Sequence, residues 1–137
     1  MANTFEVGLL DTSVVIDLGS IEASNLPSSL AISALTIAEL SAGPHATTDK
    51  QERARRQDRL QRIEATFDPL AFDADAARAY GRIYAAVAAR GRKARRARAV
   101  DLMIAAVALS NSLPLFTRNP QDFVGLSSLL AVVPVPY

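Results

Sequence analysis

Short apolar runs alternate with longer helix-forming segments along this chain, and no other feature restricts the fold as strongly. The run from Val7 to Leu10 ends abruptly at Asp11, Thr12 and Ser13, which are residue types that begin helices. Further strand-length runs are predicted at 30–33, 69–72, 113–116 and 131–135. Because strands that alternate with helices usually form a parallel sheet covered on both faces, the sequence predicts an α/β fold.

The helices are predicted from apolar spacing and from the residues at their ends. Thr48 and Gln51 form a capping-box pattern at the start of a polar helix, and Asp73 is expected to cap the next helix, which ends at Gly91. Gly43 and Pro44 stop an earlier one. The complete set of predicted helices covers residues 11–18, 35–42, 48–66, 73–91 and 100–111.

Length and composition favour one compact domain that spans residues 1–137. Half of the residues are apolar and 21% are charged, which argues against a disordered or fibrous chain. The absence of cysteine excludes a disulfide framework, a thiolate metal site and a cysteine nucleophile. The amino terminus does not resemble a secretory signal, and no apolar run is long enough to span a membrane. We therefore expect a globular domain without a membrane partner.

Positive charge is concentrated in residues 50–100, which contain fourteen of the fifteen lysine and arginine residues. No lysine or arginine precedes Lys50, whereas the span from Arg78 to Arg98 contains no acidic residue. This pattern has two interpretations that the sequence leaves open: a solvated helix end and loop, or an electrostatic footprint for a polyanion such as RNA. Arginine, which predominates here, presents a planar fork of donors to phosphate groups.

Isolated acidic residues mark the expected carboxyl ends of the strands, where open α/β sheets place their functional crevice. Asp11 directly follows the first run, Glu39 lies in the helix after the second, and Asp101 stands at the start of a later helix. Asp122 follows the fourth run together with the amide residue Asn119. Each has an ordinary structural explanation, such as a helix cap, a complement to the helix dipole, a solvent-exposed or arginine-paired carboxylate, or a turn residue. Together, however, the acids would form a pocket whose mutual repulsion requires a cation.

The donor types at this edge favour Mg²⁺ or Mn²⁺ over zinc, because hard oxygen ligands suit these ions. The only histidine, His45, lies beside Gly43 and Pro44, and we expect it at the surface of a loop. Mg²⁺ held by a few carboxylates typically acts on phosphate groups by activating water or by stabilising the entering and leaving oxygens. The sequence therefore favours phosphodiester chemistry.

Four segments in order resemble the PIN-domain proteins, and within them the VapC-type toxins of bacterial type II toxin–antitoxin modules. The segments are LLDTSVVI at 9–16, ISALTIAEL with a following Gly43 at 32–40, DLMIAA at 101–106 and LFTRNPQDF at 115–123. The resemblance implies a three-layer α/β/α sandwich with a mostly parallel sheet of four or five strands. It also implies a Mg²⁺-dependent endoribonuclease located in the bacterial cytoplasm.

The resemblance assigns roles to individual residues. Asp11 and Asp101 would hold the principal metal, and Glu39 would complete its shell or orient the attacking water, directly or through a water. At the fourth acidic position many relatives have Asp, whereas this chain has Asn119. Whether Asp122 replaces it, or the amide acts through water, stays open. Thr12 and Ser13 are expected to support the ligands.

The resemblance also implies partners: RNA, a cognate VapB-type antitoxin and a second copy of the chain in a homodimer. The RNA backbone would be bound by basic residues of the arginine-rich segment, namely Arg92, Arg95, Arg96 and Arg98. The helical segments 14–18 and 35–42 could offer a groove to an antitoxin helix, or their apolar residues could simply belong to the core.

Three other classes were compared with this pattern. A haloacid-dehalogenase-like phosphatase would need a second Asp where Ser13 stands, and a phosphoreceiver domain would need paired early acids and a late lysine. Neither pattern is present. The alternative that stays open is a non-catalytic PIN-fold module that binds RNA or protein and has lost activity through Asn119.

Overall fold

Four parallel strands form the sheet in the computed structural model, which describes residues 5–91 and 99–137. The strands are β1 (Val7–Leu10), β2 (Ser29–Ala31), β3 (Leu115–Thr117) and β4 (Val132–Pro134). Their order in the sheet is β2-β1-β3-β4, and every neighbouring pair is parallel. The chain passes from β1 to β2 on one side and later returns to β3 on the other, so the direction of winding reverses between β1 and β3.

Five α-helices surround this sheet: α1 (Thr12–Val15), α2 (Ala34–Ala42), α3 (Lys50–Thr66), α4 (Ala74–Ala88) and α5 (Ala99–Ser110). Short 3₁₀ turns occupy Leu18–Ser20, Ala23–Asn25, Gly43–Ala46 and Pro120–Phe123. The first helix is shorter than predicted. It ends at Val15. The amide of Asp17 donates to the carbonyl of Val14, three residues earlier, which is the hydrogen-bond spacing of a 3₁₀ turn and not of an α-helix.

The helices form two layers, one on each face of the sheet. Leu9 and Leu115 face one core with α4 and α5, whereas the next residues along the same strands, Leu10 and Phe116, face a second core with α1, α2 and α3. Adjacent residues separate in this way because side chains alternate between the faces of a strand. The α/β/α architecture that was predicted is confirmed.

The strand predicted at 69–72 is wrong. Only Leu70 pairs there, through one isolated bridge in which its amide donates to Ile32 and its carbonyl accepts from Ala34. Pro69 has no N–H to donate, and the chain turns at Asp73 into α4, so a ladder cannot extend. In the described part of the chain the sheet therefore has four strands rather than five.

Helix caps follow the prediction in one case and depart from it in another. The Asp73 carboxylate accepts a hydrogen bond from the amide of Ala76, which confirms the predicted cap of α4. The predicted capping by Thr48 is wrong, because Asp49 occupies that position. Its carboxylate accepts hydrogen bonds from the amides of Gln51 and Glu52. Both hydrogen bonds end on Oδ1, and an ionised carboxylate oxygen is a stronger acceptor for the amides at a helix start than a hydroxyl oxygen is.

His45 is exposed in the Gly43–Ala46 turn, as predicted. None of the described helices combines the length and the apolar character needed to cross a bilayer.

Candidate active site

The carboxyl ends of β1 and β3 meet where the strand winding reverses, which is the position of functional crevices in open α/β sheets. Asp11 directly follows β1, and Thr117 is the last residue of β3. The amide of Asp11 donates to the carbonyl of Phe116 at 2.8 Å, so the backbone beyond β1 stays fastened to β3. This hydrogen bond brings the two polar residues side by side.

Asp11 is held in a fixed orientation by two hydroxyl groups. Its carboxylate is 4% exposed, and Oδ2 accepts hydrogen bonds from Ser13 Oγ and from Thr117 Oγ1, each at 2.8 Å. Those hydroxyl oxygens in turn accept from the backbone amides of Arg118 and Asn119, at 3.1 and 3.0 Å. Because both donors are anchored by backbone groups, the Asp11 side chain has little rotational freedom.

Asp101 brings a second carboxylate close to Asp11. It lies in the first turn of α5 and is 6% exposed. Burial raises the pKa of Asp11 above its usual range, and the negative charge of Asp101 raises it further, while the hydrogen bonds from Thr117 and Ser13 act in the opposite direction. Two buried carboxylates that repel each other form a site that a cation would stabilise.

Glu39 is oriented by a chain of two threonine hydroxyls. Thr12 Oγ1 donates to Glu39 Oε1 at 2.7 Å and lies 2.9 Å from Thr36 Oγ1. Since the single hydroxyl proton of Thr12 is committed to Glu39, the buried Thr36 is the donor in the second hydrogen bond. Thr12 follows Asp11 in sequence, and it therefore connects Glu39 to the end of β1.

Asp11 and Asp101 suit a magnesium ion. Within residues 5–91 and 99–137, no three Asp, Glu or His side chains are grouped closely enough to bind one metal together. Mg²⁺ does not need such a group, because it commonly binds one or two carboxylates and keeps several of its waters. The pair fits this ion, and the position of Glu39 fits a contact through water better than direct ligation.

Asn119 and Asp122 lie in the loop that follows β3. Asn119 contributes its backbone amide to Thr117 Oγ1, and its carbonyl accepts from the amide of Asp122 at 3.0 Å. Both side chains are half-buried. The structure thus gives Asn119 a supporting role through its main chain, whereas the predicted roles of both side chains stay predictions.

The four arginines predicted to bind RNA, Arg92, Arg95, Arg96 and Arg98, lie outside the described residues.

Three residues in and around the site, Thr36, Thr117 and Arg118, were not among those predicted from the sequence. Two of them carried a usable signal: Thr117 closes a buried strand, and Thr36 precedes Glu39 by three residues, so that both lie on one face of α2. Nothing in the sequence indicated a role for Arg118, because the residues it contacts lie far away along the chain. Its side chain is 7% exposed and pairs with Asp17 at 2.9 Å, and its guanidinium lies 4.6 Å from the centre of the Tyr137 ring.

One groove borders the site, and a second groove adjoins the first. The polar groove, of about 360 Å³, begins at the Glu39 side of the site and runs along α3; it is lined by Thr12, Ile16, Glu39, Leu40, Gly43, Glu52, Arg56 and Arg59. The apolar groove, of about 350 Å³, lies between α1 and α3 and is lined by Val15, Ile16, Leu18, Gly19, Arg59, Arg62 and Ile63. Ile16 and Arg59 border both grooves.

A parallel α/β sandwich with paired buried carboxylates at its switch point defines a class of protein suited to metal-assisted chemistry. Comparison with protein families makes the class specific: the model of the PIN domain matches residues 8–125. The chain belongs to the PIN-domain family.

Individual relatives resemble the chain over nearly its whole length. It is 37% identical to Ribonuclease VapC5 of Mycobacterium tuberculosis strain H37Rv, across 96% of each chain. A solved structure of VapBC-5, a member of the VapBC family of toxin–antitoxin systems from the same species, matches with a TM-score of 0.81 and 36% identity, covering 96% of this chain and 99% of that one. The structure of FitAcB from Neisseria gonorrhoeae matches with a TM-score of 0.68 and 27% identity, covering 92% and 95%.

Proposed function

We propose that this protein is a metal-dependent endoribonuclease that serves as the toxin of a VapBC-type toxin–antitoxin pair. The observation that carries the proposal is the buried Asp11–Asp101 pair at the carboxyl edge of β1. It occurs in a chain that is 37% identical to a protein named as a ribonuclease. The reaction is hydrolysis of an RNA phosphodiester bond, in which water attacks phosphorus and a ribose oxygen leaves.

Asp11 and Asp101 are the residues that would hold the metal, for which Mg²⁺ is the first candidate and Mn²⁺ the second. When bound, such an ion polarises the phosphate and lowers the pKa of coordinated water. Ser13 and Thr117 keep Asp11 Oδ2 oriented toward its role through their hydrogen bonds. Glu39, oriented by Thr12, directs the attacking water and receives its proton at the carboxylate.

The remaining predicted residues surround this centre. Asn119 and Asp122 act beside the site in the loop after β3, where the Asn119 amide group contacts substrate or ion through water. Arg92, Arg95, Arg96 and Arg98 bind the RNA backbone, since a basic segment supplies the sequence-independent part of nucleic-acid affinity. The substrate is single-stranded or looped RNA, whose bases and phosphates are accessible together.

A VapB-type antitoxin is the proposed protein partner, and the toxin is a cytoplasmic homodimer. Support comes from the similarity to the VapBC-5 structure and from the apolar groove. Of the residues expected to offer a groove, Val14, Val15 and Leu40 are largely buried in the core, whereas Ile16 is 41% exposed. The antitoxin surface is therefore centred on Ile16 and Leu18 rather than on the whole of α1 and α2.

Cleavage of a mixed panel of structured and unstructured RNAs tests the nuclease. The purified chain would be assayed with Mg²⁺ and with EDTA, beside Asp101→Asn and the matched variant Asp68→Asn, whose carboxylate is exposed. We expect cleavage that requires metal, falls at least about hundredfold in Asp101→Asn and persists in Asp68→Asn. Cleavage that survives Asp101→Asn would overturn the assignment. Tight RNA binding without cleavage by the folded wild type would favour the non-catalytic module.

A further inference from the structure

Arg59 differs from the other arginines of α3 in having no partner among the residues that the structure describes. Arg53 donates to the carbonyls of Pro44 and Thr47, and the remaining arginines pair with acids of the same helix, namely Arg55 and Arg56 with Glu52 and Arg62 with Asp58. Arg59 makes no hydrogen bond or ion pair among the described residues, although it is half-buried. Its five N–H donors are therefore available to a ligand.

The position of Arg59 relates it to the candidate active site. It lines the polar groove, which also contains Thr12 and Glu39 at the end nearest the site. An RNA strand that places one phosphate at the Asp11–Asp101 pair must continue across the protein surface beside this pair. The polar groove offers such a continuation, because it is open and directly borders Glu39.

Of the two acidic side chains that line the groove, Glu39 and Glu52, the second is neutralised by neighbouring arginines. Both carboxylate oxygens of Glu52 accept hydrogen bonds from Arg55 and Arg56, and these bonds lower the pKa of Glu52 below its usual value. Arg56 is also held by the carbonyl of Gly43 at 2.8 Å. Glu52, Arg55 and Arg56 thus carry a net charge of one positive unit. The charges of Glu39 and Arg59 offset each other, so the five side chains keep that net charge, and the guanidinium of Arg59 makes no hydrogen bond or ion pair among the described residues.

We propose that Arg59, supported by Arg56, binds a backbone phosphate of single-stranded RNA adjacent to the bond that is cut. This inference rests on the proposed function, because it names a substrate contact of the same site. A guanidinium suits the role, since its planar donors bind phosphate in a bidentate manner. The contact is independent of sequence, so it positions the strand without selecting bases.

The salt dependence of RNA binding tests the contact without requiring cleavage. A short fluorescein-labelled single-stranded RNA of mixed sequence would be titrated in EDTA at several KCl concentrations, and its integrity checked on a gel. Each phosphate neutralised by the protein contributes about 0.7 to the slope of log affinity against log salt. Arg59→Gln should reduce the slope by about 0.7, and Arg59→Lys should retain it.

Arg82→Gln is the matched control, because Arg82 is an exposed arginine of α4 without a partner among the described residues. It removes the same charge at a distance from the groove, so its slope should equal that of the wild type. With Mg²⁺ present, Arg59→Gln should raise KM about three- to tenfold, with the loss falling on KM rather than kcat. Unchanged melting temperatures would show that all variants fold.

An unchanged salt slope in Arg59→Gln would overturn the proposal. The proposal also fails if Arg59→Gln weakens only the affinity for an antitoxin, because the groove would then serve an acidic protein partner. The phosphate contact and the nuclease can fail separately in these measurements. If Arg59→Gln lowers the salt slope but the wild type cuts no RNA, the phosphate contact is supported and the nuclease is refuted. If the wild type cuts RNA but Arg59→Gln leaves the slope unchanged, the nuclease is supported and the phosphate contact is refuted.

Discussion

At the scale of single residues, burial of the Asp11 carboxylate affects the stability of the fold. Its pKa is raised by burial and by Asp101, so the folded state binds the proton more tightly than the unfolded chain does. The resulting stabilisation is present at acidic pH, below the unfolded pKa, and is lost as pH rises through the folded pKa. At neutral pH without metal, the ionised carboxylate therefore opposes folding.

Asp11→Asn should make the metal-free protein more stable at neutral pH. The amide oxygen of Asn still accepts from Ser13 and Thr117, while the buried charge disappears. Urea denaturation in EDTA from acidic to neutral pH would measure the effect. The free energy of unfolding of Asp11→Asn should exceed that of the wild type by an amount that grows as pH rises. Asp68→Asn, at an exposed position, should have the same free energy of unfolding as the wild type across this pH range. A less stable Asp11→Asn at neutral pH would contradict this explanation.

Thr36 should influence catalysis through Glu39 without touching substrate. Its hydroxyl donates to Thr12, which donates to Glu39, so Thr36→Val breaks the first hydrogen bond of this chain at nearly constant volume. We expect kcat to fall about tenfold, as for other residues that orient an active carboxylate, with KM nearly unchanged. Thr36→Ser retains the hydroxyl and should restore most of the rate. Equal losses in both variants would show that packing, and not the hydrogen bond, matters at this position.

At the scale of elements, the caps of helices show where local sequence rules are accurate and where they fail. Thr48 and Asp49 are both capping residue types, and the spacing to Gln51 favours the first. In the structure Asp49 accepts the amides of Gln51 and Glu52. Asp49→Ala should therefore lower the free energy of unfolding by about 1 kcal/mol, whereas Thr48→Ala should change it by less than about 0.5 kcal/mol. Thermal and urea denaturation of the two variants would measure these differences. A larger loss of stability in Thr48→Ala than in Asp49→Ala would show that Thr48 caps the helix after all.

The strands could be predicted within two residues because each is a short apolar run with a clear end. β3 begins at Leu115 rather than at 113, since Leu113 still bonds to α5 and Pro114 has no amide to donate. Lone charges in apolar surroundings also pointed to Asp11, Glu39 and Asp101. The structure brings Asp11 and Asp101 close together, but among the described residues it does not group three acids into the single pocket that was expected. The sequence did not reveal which uncharged residues, or residues far away along the chain, form hydrogen bonds or ion pairs with the acidic residues. Thr117 contacts Asp11 from 106 residues away, and Arg118 contacts Asp17 from 101 residues away.

At the scale of the whole molecule, the candidate metal site joins two layers of the sandwich. Asp11 follows the central strand β1, whereas Asp101 belongs to α5, which packs on one face of the sheet. The negative charge of Asp101 contributes to the raised pKa of Asp11, and a cation shared by the two carboxylates would offset their repulsion and link β1 to α5. Metal binding should therefore be visible as global stability, and not only as activity.

Mg²⁺ should raise the melting temperature of the wild type in a saturable way. An ion that binds only the folded state stabilises it by about 2.7 kcal/mol at a concentration one hundred times its Kd, which corresponds to a shift of several degrees for a domain of this size. Asp101→Asn removes one of the two carboxylates and should abolish most of the shift, while Asp68→Asn should preserve it. Differential scanning calorimetry across a Mg²⁺ titration would measure both. An equal shift in Asp101→Asn would mean that the ion binds elsewhere, because the stabilisation could not then come from linking β1 to α5.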